Sequence, residues 1–495
     1  MGIVFRQSVK TTLVVFCGAV LGALVIFFST RLIPKQQLGF TRTLTNQALV
    51  AGQLLLFGMH GTLAVFIQRY DYNDKRRQSL ITLSLLIPAI LVAFFSILYF
   101  IFSHSIIHLF QPQDIPYMQR YFMWLPVFTL FFIYQIILEQ YLSSQMKVAL
   151  STFMREIVLR VLNITLIVLF GYGYIGFDVL VAGTVLVYLI PILFLLIFST
   201  KTKGFGFSLD FKVFTRQEYK EIIHFSWYHA LLGISINLMG FLDALMIPLL
   251  DKNGLSSIAI YGNAVFIMSL LQIPYKAMST ATFPILTIAF KNNNRAEVAD
   301  IFKRSGINIF IASVGMALLI ACNLNNAVMI MKNGYGPVVA LVLIMMIGRL
   351  TDAATGMNDQ TLSVSQYYKA NFYMSIGLVI FMVIFNLILI PKYGIYGAAW
   401  STSVALMLYN IAKCLYIWKK LDLQPFSINT LKTILIGVVV VIIGYSIPYI
   451  LNPYLDTLIR SSIIISVYVL LLFWLKPSPD ISSYISSISN NRRLF

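Results

Sequence analysis

The sequence predicts an all-α polytopic membrane protein with about fourteen transmembrane helices. Twelve of them form two six-helix repeats, and two extra helices follow. Three observations predict it. Of 495 residues, 59% are hydrophobic and only 11% are charged, more apolar surface than a water-soluble fold can bury. Fourteen apolar runs come close to the roughly 20 residues that cross the hydrocarbon core. Finally, three landmarks recur at one ungapped offset of 221 residues, the step from Tyr172 to Tyr393. Tyr172-Gly173-Tyr174-Ile175-Gly176 returns as Tyr393-Gly394-Ile395-Tyr396-Gly397, Ser144-Gln145 as Ser365-Gln366, and Phe40 as Tyr261. One fixed shift marks a duplicated unit. Each copy holds six spans, so both start on the same side of the membrane and form parallel halves about an axis along its normal.

The spans are expected near 9–31, 44–67, 79–102, 119–142, 148–170, 178–199, 223–247, 257–284, 305–328, 337–361, 370–390, 397–417, 431–451 and 458–475. Arg6 and Lys10 precede the first, whose apolar run from Leu13 to Phe28 has no small-x-small cleavage site, so it reads as a retained helix. The domains follow: an N-terminal bundle over 1–200, an amphipathic cytoplasmic connector over 201–222 and a second bundle over 223–420. Two additional helices occupy 421–476 and a cytoplasmic tail 477–495. The connector interleaves Lys212, Arg216 and Lys220 with Phe205, Phe207, Phe211 and Phe214, a pattern for the inner membrane surface. Prolines 88, 126, 191, 248, 274 and 284 lie in or at the ends of spans, where neighbouring helices satisfy the freed carbonyls.

With the N-terminus inside, the cytoplasmic segments hold 24 of the 36 Lys and Arg and the outside loops hold 6: Arg31, Lys35, Arg42, Lys252, Lys332 and Lys392. That asymmetry puts both termini in the cytoplasm, and it explains the net charge of +18 without nucleic acid. The three cysteines have no metal or disulfide spacing. H-E-x-x-H, the Walker loop and G-x-S-x-G are absent, so no enzyme motif is present and no cofactor is expected. Gly171 to Gly176 formally fits G-x-G-x-x-G, but it lies between two membrane helices and reads as a tight outside turn, repeated at Gly394 and Gly397.

An ionisable residue inside the bilayer costs a few kcal/mol and faces protein or a wet cavity. Glu139 ends helix four; Arg155, Glu156 and Arg160 open helix five. Asp243 is late in helix seven, Lys276 in helix eight, and Arg349, Asp352 and Asp359 lie along helix ten. Glu156 with Arg160 and Arg349 with Asp352 have the spacing of self-neutralising pairs. Arg155, Lys276 and Asp243 have no opposite charge at i±3 or i±4, so each needs a partner from another helix or a ligand. Unpaired cations suit an anionic phosphate; an unpaired carboxylate suits H⁺, Na⁺ or a cross-helix ion pair. Arg120 and Arg460 are expected to snorkel. His60 and His229 read as hydrogen-bonded packing residues, and the tryptophans as interface anchors.

The run from Asn386 through Pro391, Gly394 and Gly397 to Thr402 resembles the helix 11–12 signature of polysaccharide-exporting flippases of the multidrug/oligosaccharidyl-lipid/polysaccharide superfamily. Leu38-Gly39-Phe40, Asp243 with Ile260 to Ala264 and Phe283-Pro284, and Asp352 to Ser365 with Tyr367 to Asn371 resemble further stretches of that family. The resemblance covers nearly the whole chain. It implies two bundles around a central cavity that opens alternately to each side of the inner membrane. The implied substrate is an oligosaccharide on a polyprenyl diphosphate, carried by a monomeric transport unit. Arg31, Arg155, Lys276 and Arg349 are the cavity cations for the diphosphate; Asp243, Asp352 and Glu139 are the gating or ion-coupling carboxylates, with H⁺ or Na⁺ as the coupling ion. The alternative is a drug/cation antiporter of the same fold, which would need a net acidic cavity.

Overall fold

The computed structural model describes residues 2–331, 334–450 and 452–481, with the side chains of 2–10, 12 and 232–239 left aside. Lys332 and residues 482–495 of the expected tail lie outside the described residues. All regular structure among the described residues is helical.

Each of the fourteen expected spans meets a helix. In the first half these are α1 (Gly2–Leu32), α2 (Lys35–Leu55 continued by Met59–Phe66), α3 (Lys75–Ile101), α4 (Trp124–Ser144) and α5 (Val148–Phe153, Met154–Val158 and Leu159–Gly171), followed by α6 (Phe177–Thr200) and α7 (Arg216–Leu250). Then come α8 (Leu255–Lys291), α9 (Arg295–Ile330), α10 (Pro337–Thr355), α11 (Tyr368–Tyr393), α12 (Ile395–Leu421), α13 (Ile428–Ser446) and α14 (Pro453–Leu475). Among the described residues, ten of them are long and apolar enough to cross a membrane by themselves. Three others depart for local reasons. Helix α2 is two segments bent by 51°. The segment α5 carries Arg155, Glu156 and Arg160, and α12 carries Lys413, Lys419 and Lys420. Such helices are membrane-compatible only where neighbours cover their charges. Of α7, the described stretch Gly240–Leu250 is apolar.

The chain forms two compact units, Met1–Ala259 and Ile260–Phe495, each described by itself. In the first, Leu63, Ile133, Ile137, Tyr141, Leu195 and Ile222 make one core where α2, α4, α6 and α7 meet. In the second, α9 packs against α10, α13 and α14, with Phe310, Val314 and Leu318 against Ile436, Val440 and Ile464. Helix α12 packs on both α10 and α11.

The duplicated turns behave alike. Gly173 has φ +79° and its counterpart Gly394 φ +58°, backbone that a side chain resists. Residues 201–215 contain one 3₁₀ turn, Phe211–Val213, and no α-helix. Phe205 meets Tyr141 edge-on at 5.0 Å, so this aromatic turns onto the bundle. Helix α7 starts at Arg216, seven residues before the expected 223, because Thr215 and Glu218 close a reciprocal capping box.

Two cation placements need correction. Arg460 does not snorkel. It is buried, holds both carboxylate oxygens of Asp456 at 2.9 and 3.0 Å, and donates to the Gly444 carbonyl at 2.5 Å. Asn326 of α9 donates to the same carboxylate at 2.5 Å, so the pair ties α13 and α14 to α9. Arg42 is not a loop residue either: α2 starts nine residues before the expected 44, and Arg42 lies on its third turn. Arg120 is exposed and paired with Asp178 at 2.6 Å, as expected of a helix end.

Candidate functional site

In the first unit the charges of α4 and α5 converge. Helix α5 changes to π-helical winding at Met154–Val158, the turn that carries Arg155 and Glu156. Such an insertion re-aims side chains and recurs at functional positions. Arg155 donates to Glu139 at 2.9 Å and to Glu156 at 3.3 Å. Glu139 also accepts from Gln135 one turn before it on α4, at 2.8 Å. Arg160 closes the row on Glu156 at 2.6 Å and donates to the carbonyl of Gly18 on α1. Gly18 permits this approach, since a Cβ there would sit 2.8 Å from the Glu156 Cβ. The cluster holds two cations and two carboxylates. Glu139 is nearly covered at 11% side-chain exposure, whereas Arg155 is 54% exposed. Its guanidinium is therefore held in place by the protein yet presents donors outward. The partner that Arg155 required comes from another helix.

Beside this cluster a cavity of about 220 Å³ lies among α1, α2, α5 and α6. Ser29, Arg42, Thr45, Asn46, Asn163 and Thr184 supply its polar lining. Arg42 donates to the Ala259 carbonyl at 2.5 Å. Sequence reasoning placed Arg42 in a loop and missed it. The available signal was Arg42, Thr45 and Asn46 at i, i+3 and i+4, one polar face of a helix. Arg31 lies in the last turn of α1, exposed, its guanidinium over the Phe27 ring at 4.4 Å. Asp243 is buried at 8% exposure on α7.

The second unit has its own balanced cluster, built around a break in helix ten. Helix α10 stops at Thr355, Gly356 takes φ +70°, and a short helix Asn358–Val364 follows. Discontinuous spans of this kind place polar groups and helix ends inside a membrane protein. The Asp352 carboxyl lies within electrostatic reach of Arg349 and Lys413 and has the Asn410 amide as a hydrogen-bond partner. With its amide turned so that oxygen faces the guanidinium, Gln272 accepts from Arg349 at 2.8 Å. Lys413 of α12 is completely buried and pairs with Asp359 across the break, with the Tyr409 hydroxyl also against its ammonium. Tyr409 bonds Asp359 at 3.2 Å and Ser375 of α11 at 2.9 Å. Lys413 is the second residue the sequence reading missed, because it was counted among the cytoplasmic cations after helix twelve. Its i,i+4 spacing from Tyr409 inside an apolar run was the available signal.

The structure thus joins Glu139 to Arg155 and sets Arg349 beside Asp352. Lys276 joins neither cluster. It is exposed on α8 two residues after Pro274, and its ammonium has no partner among the described residues.

The family described as "Polysaccharide biosynthesis protein" matches residues 4–290. No curated protein matches the chain in sequence. Among solved structures, a lipid II flippase MurJ in an inward closed conformation is similar at TM-score 0.75 and 13% identity, covering 94% of this chain and 98% of that one. An inward-facing multidrug resistance MATE family transporter is similar at TM-score 0.63 and 16% identity, over 82% of this chain and 94% of that one. A MOP superfamily transporter from Pyrococcus furiosus follows at TM-score 0.55 and 15% identity, over 85% and 95%. At these identities the likeness is one of fold, and it extends over most of the chain.

Proposed function

The chain belongs to the polysaccharide biosynthesis protein family, and from that membership we propose that it is a flippase for a lipid-linked oligosaccharide. It turns an oligosaccharide on a polyprenyl diphosphate from the inner to the outer leaflet of the inner membrane by alternating access. The product feeds a cell-surface polysaccharide. Both termini lie in the cytoplasm, in line with the excess of Lys and Arg in the loops of that side. One copy of the chain is the transport unit.

The observation that carries this reading is Arg155, an intramembrane guanidinium fixed by Glu139 and Glu156 while half of its surface stays open. A guanidinium binds phosphate oxygens through two parallel hydrogen bonds, a geometry that an ammonium lacks. The diphosphate takes Arg155 from its carboxylates, with Arg31, Lys276 and Arg349 supplying further positive charge. Glu139 is then left buried without its cation, which favours proton or Na⁺ uptake there. Asp243 and Asp352 are the further gating or coupling carboxylates. A drug/cation antiporter of the same fold is the second reading, and the buried Asp243 favours it.

Reconstitution with a fluorescent polyprenyl-diphosphate oligosaccharide separates the two. The flippase brings label from the quencher-protected inner leaflet to the outer one, so an external quencher reaches more than the outer half. Arg155→Ala slows this about tenfold or more, the loss of one charged hydrogen-bonded contact of about 1.5–3 kcal/mol; Arg155→Lys restores part of it. Export of a cationic dye with no movement of the lipid would establish the antiporter.

A further inference from the structure

The joint of the bent helix α2 meets α7 through two histidines that the flippase reading leaves unused. The first segment of α2 ends at two consecutive residues of positive φ, Phe57 at +50° and Gly58 at +68°. The second segment leaves at 51° and packs on α7. Its partners on α7 are Ile222, Phe225, Ser226 and His229, one helix face at i, i+3, i+4 and i+7. The approach is close. A Cβ on Gly58 would strike the Ser226 carbonyl, and one on Gly61 would strike the His229 ring. The hydroxyls of Thr62 and Ser226 share a buried hydrogen bond of 2.6 Å. Next to it the imidazoles of His60 and His229 face each other with centroids 4.9 Å apart. Phe225 stacks on His229 at 5.8 Å and 7°. The Nδ1 atom of His60 is buried and has no hydrogen-bond partner among the described residues. The expected role of satisfied packing histidines therefore leaves one ring nitrogen unexplained, and such groups are rare in a settled core.

We propose that His60 and His229 form a proton-binding site whose occupation separates the second segment of α2 from α7. Imidazole is the side chain that changes charge near physiological pH. A charge on either ring, in a seam lined by Met59, Phe66 and Phe225, is poorly solvated. A second charge repels the first. Both penalties fall when the segment swings away and water reaches the rings. Phe57 and Gly58 provide the joint, because a change in their backbone angles moves the whole segment. Acidification opens the seam and alkalinisation closes it.

Most charged and titratable groups on the packed elements are engaged elsewhere, and Arg216, Glu218 and Lys220 lie more than two turns before His229 on α7. Arg69, after the second segment of α2, pairs with Glu221 of α7 at 3.2 Å. Arg77 of α3 donates to the carbonyls of Ile67 and Tyr70. Glu139 of α4 holds Arg155, and Arg42 of α2 donates to Ala259. On α7, His224 meets Tyr228 at 4.7 Å, and Asp243 lies about 21 Å along the helix from His229 at 1.5 Å per residue.

Trp227 rests against Phe57 at 5.8 Å and reports on the joint. The test uses the full chain in nanodiscs with Trp124, Trp400, Trp418 and Trp474 replaced by Phe. We expect a reversible change in Trp227 emission as the pH falls from about 7 to about 4, below the ordinary range of an imidazole because the seam disfavours the charged rings. His60→Gln and His229→Gln each abolish it. His224→Gln, which removes the imidazole one turn from Trp227, leaves it intact. If one Gln variant does not elute as a single species, the other decides. A transition that survives both substitutions, or none in the parent protein, overturns the proposal. The transported molecule does not enter this experiment, so its outcome is independent of the flippase reading.

Discussion

Arg460→Leu is the substitution that best tests the internal construction of the second unit. It removes a guanidinium with 9% of its side chain exposed from a carboxylate with none. Asp456 then keeps only the Asn326 amide and the Ile450 backbone N–H. Breaking a buried pair on one side is destabilising by about 3–5 kcal/mol, because the remaining charge is stranded. For a unit of this size, 1 kcal/mol corresponds to roughly 2–4 °C, so the melting temperature should fall by roughly 6–20 °C. The assay is thermal unfolding of the purified protein in one detergent, read by elution after heating. The paired change Arg460→Leu with Asp456→Asn removes both charges and should recover more than half of the loss, as replacing a whole buried pair is close to neutral. Were Arg460 at the water interface instead, the single change would shift the midpoint by less than about 4 °C, corresponding to at most 1 kcal/mol for an exposed pair. That result, or a double variant less stable than both single ones, would refute the reasoning.

Further outcomes follow from other parts of the molecule. Glu139→Gln removes a competitor for Arg155; since Arg155 is half exposed, half-saturation by lipid-linked oligosaccharide should fall only about two- to fivefold, matching a pair of 0.5–1 kcal/mol. In a Cys17→Ser background, impermeant thiol reagent added outside should label Tyr393→Cys and not Lys212→Cys; Tyr393 is chosen because Gly394 itself has φ +58° and resists a side chain. Asp243→Arg should stop transport, and joining it to Arg31→Asp should recover part if the two form an outer gate; no recovery with normal membrane insertion would remove that gate. The Asp74 carboxyl is held below its usual range by the Arg76 side chain, and Glu218 below its own by the Thr215 backbone N–H. Depressed carboxyls stabilise above their ordinary range near pH 4 and lose that contribution as pH falls through the folded values. The melting temperature should therefore drop between about pH 4 and 3, and by less in the Asp74→Asn, Glu218→Gln double variant.

The sequence by itself determined the membrane class, the fourteen helices and the duplicated turn. These follow from local quantities: length of apolar run, and glycine where the backbone must turn. Gly173 and Gly394, one repeat apart, both carry the positive φ that their type suggests. It also identified Arg155, Glu139, Arg349 and Asp352 as costly charges. It could not say which carboxylate holds which cation, because Glu139 reaches Arg155 through the packing of α4 on α5 and not through spacing. Spacing did succeed for Glu156 and Arg160, whose contact lies within one helix. The same distinction explains the errors. Arg460 near a helix end looks like a snorkelling residue until α9 and α13 close over it. Lys413 looks cytoplasmic until Asp359 meets it across the break after α10. Burial of a charge is a property of what surrounds it, so only the tertiary structure decided which polar residues sit in water and which are held inside.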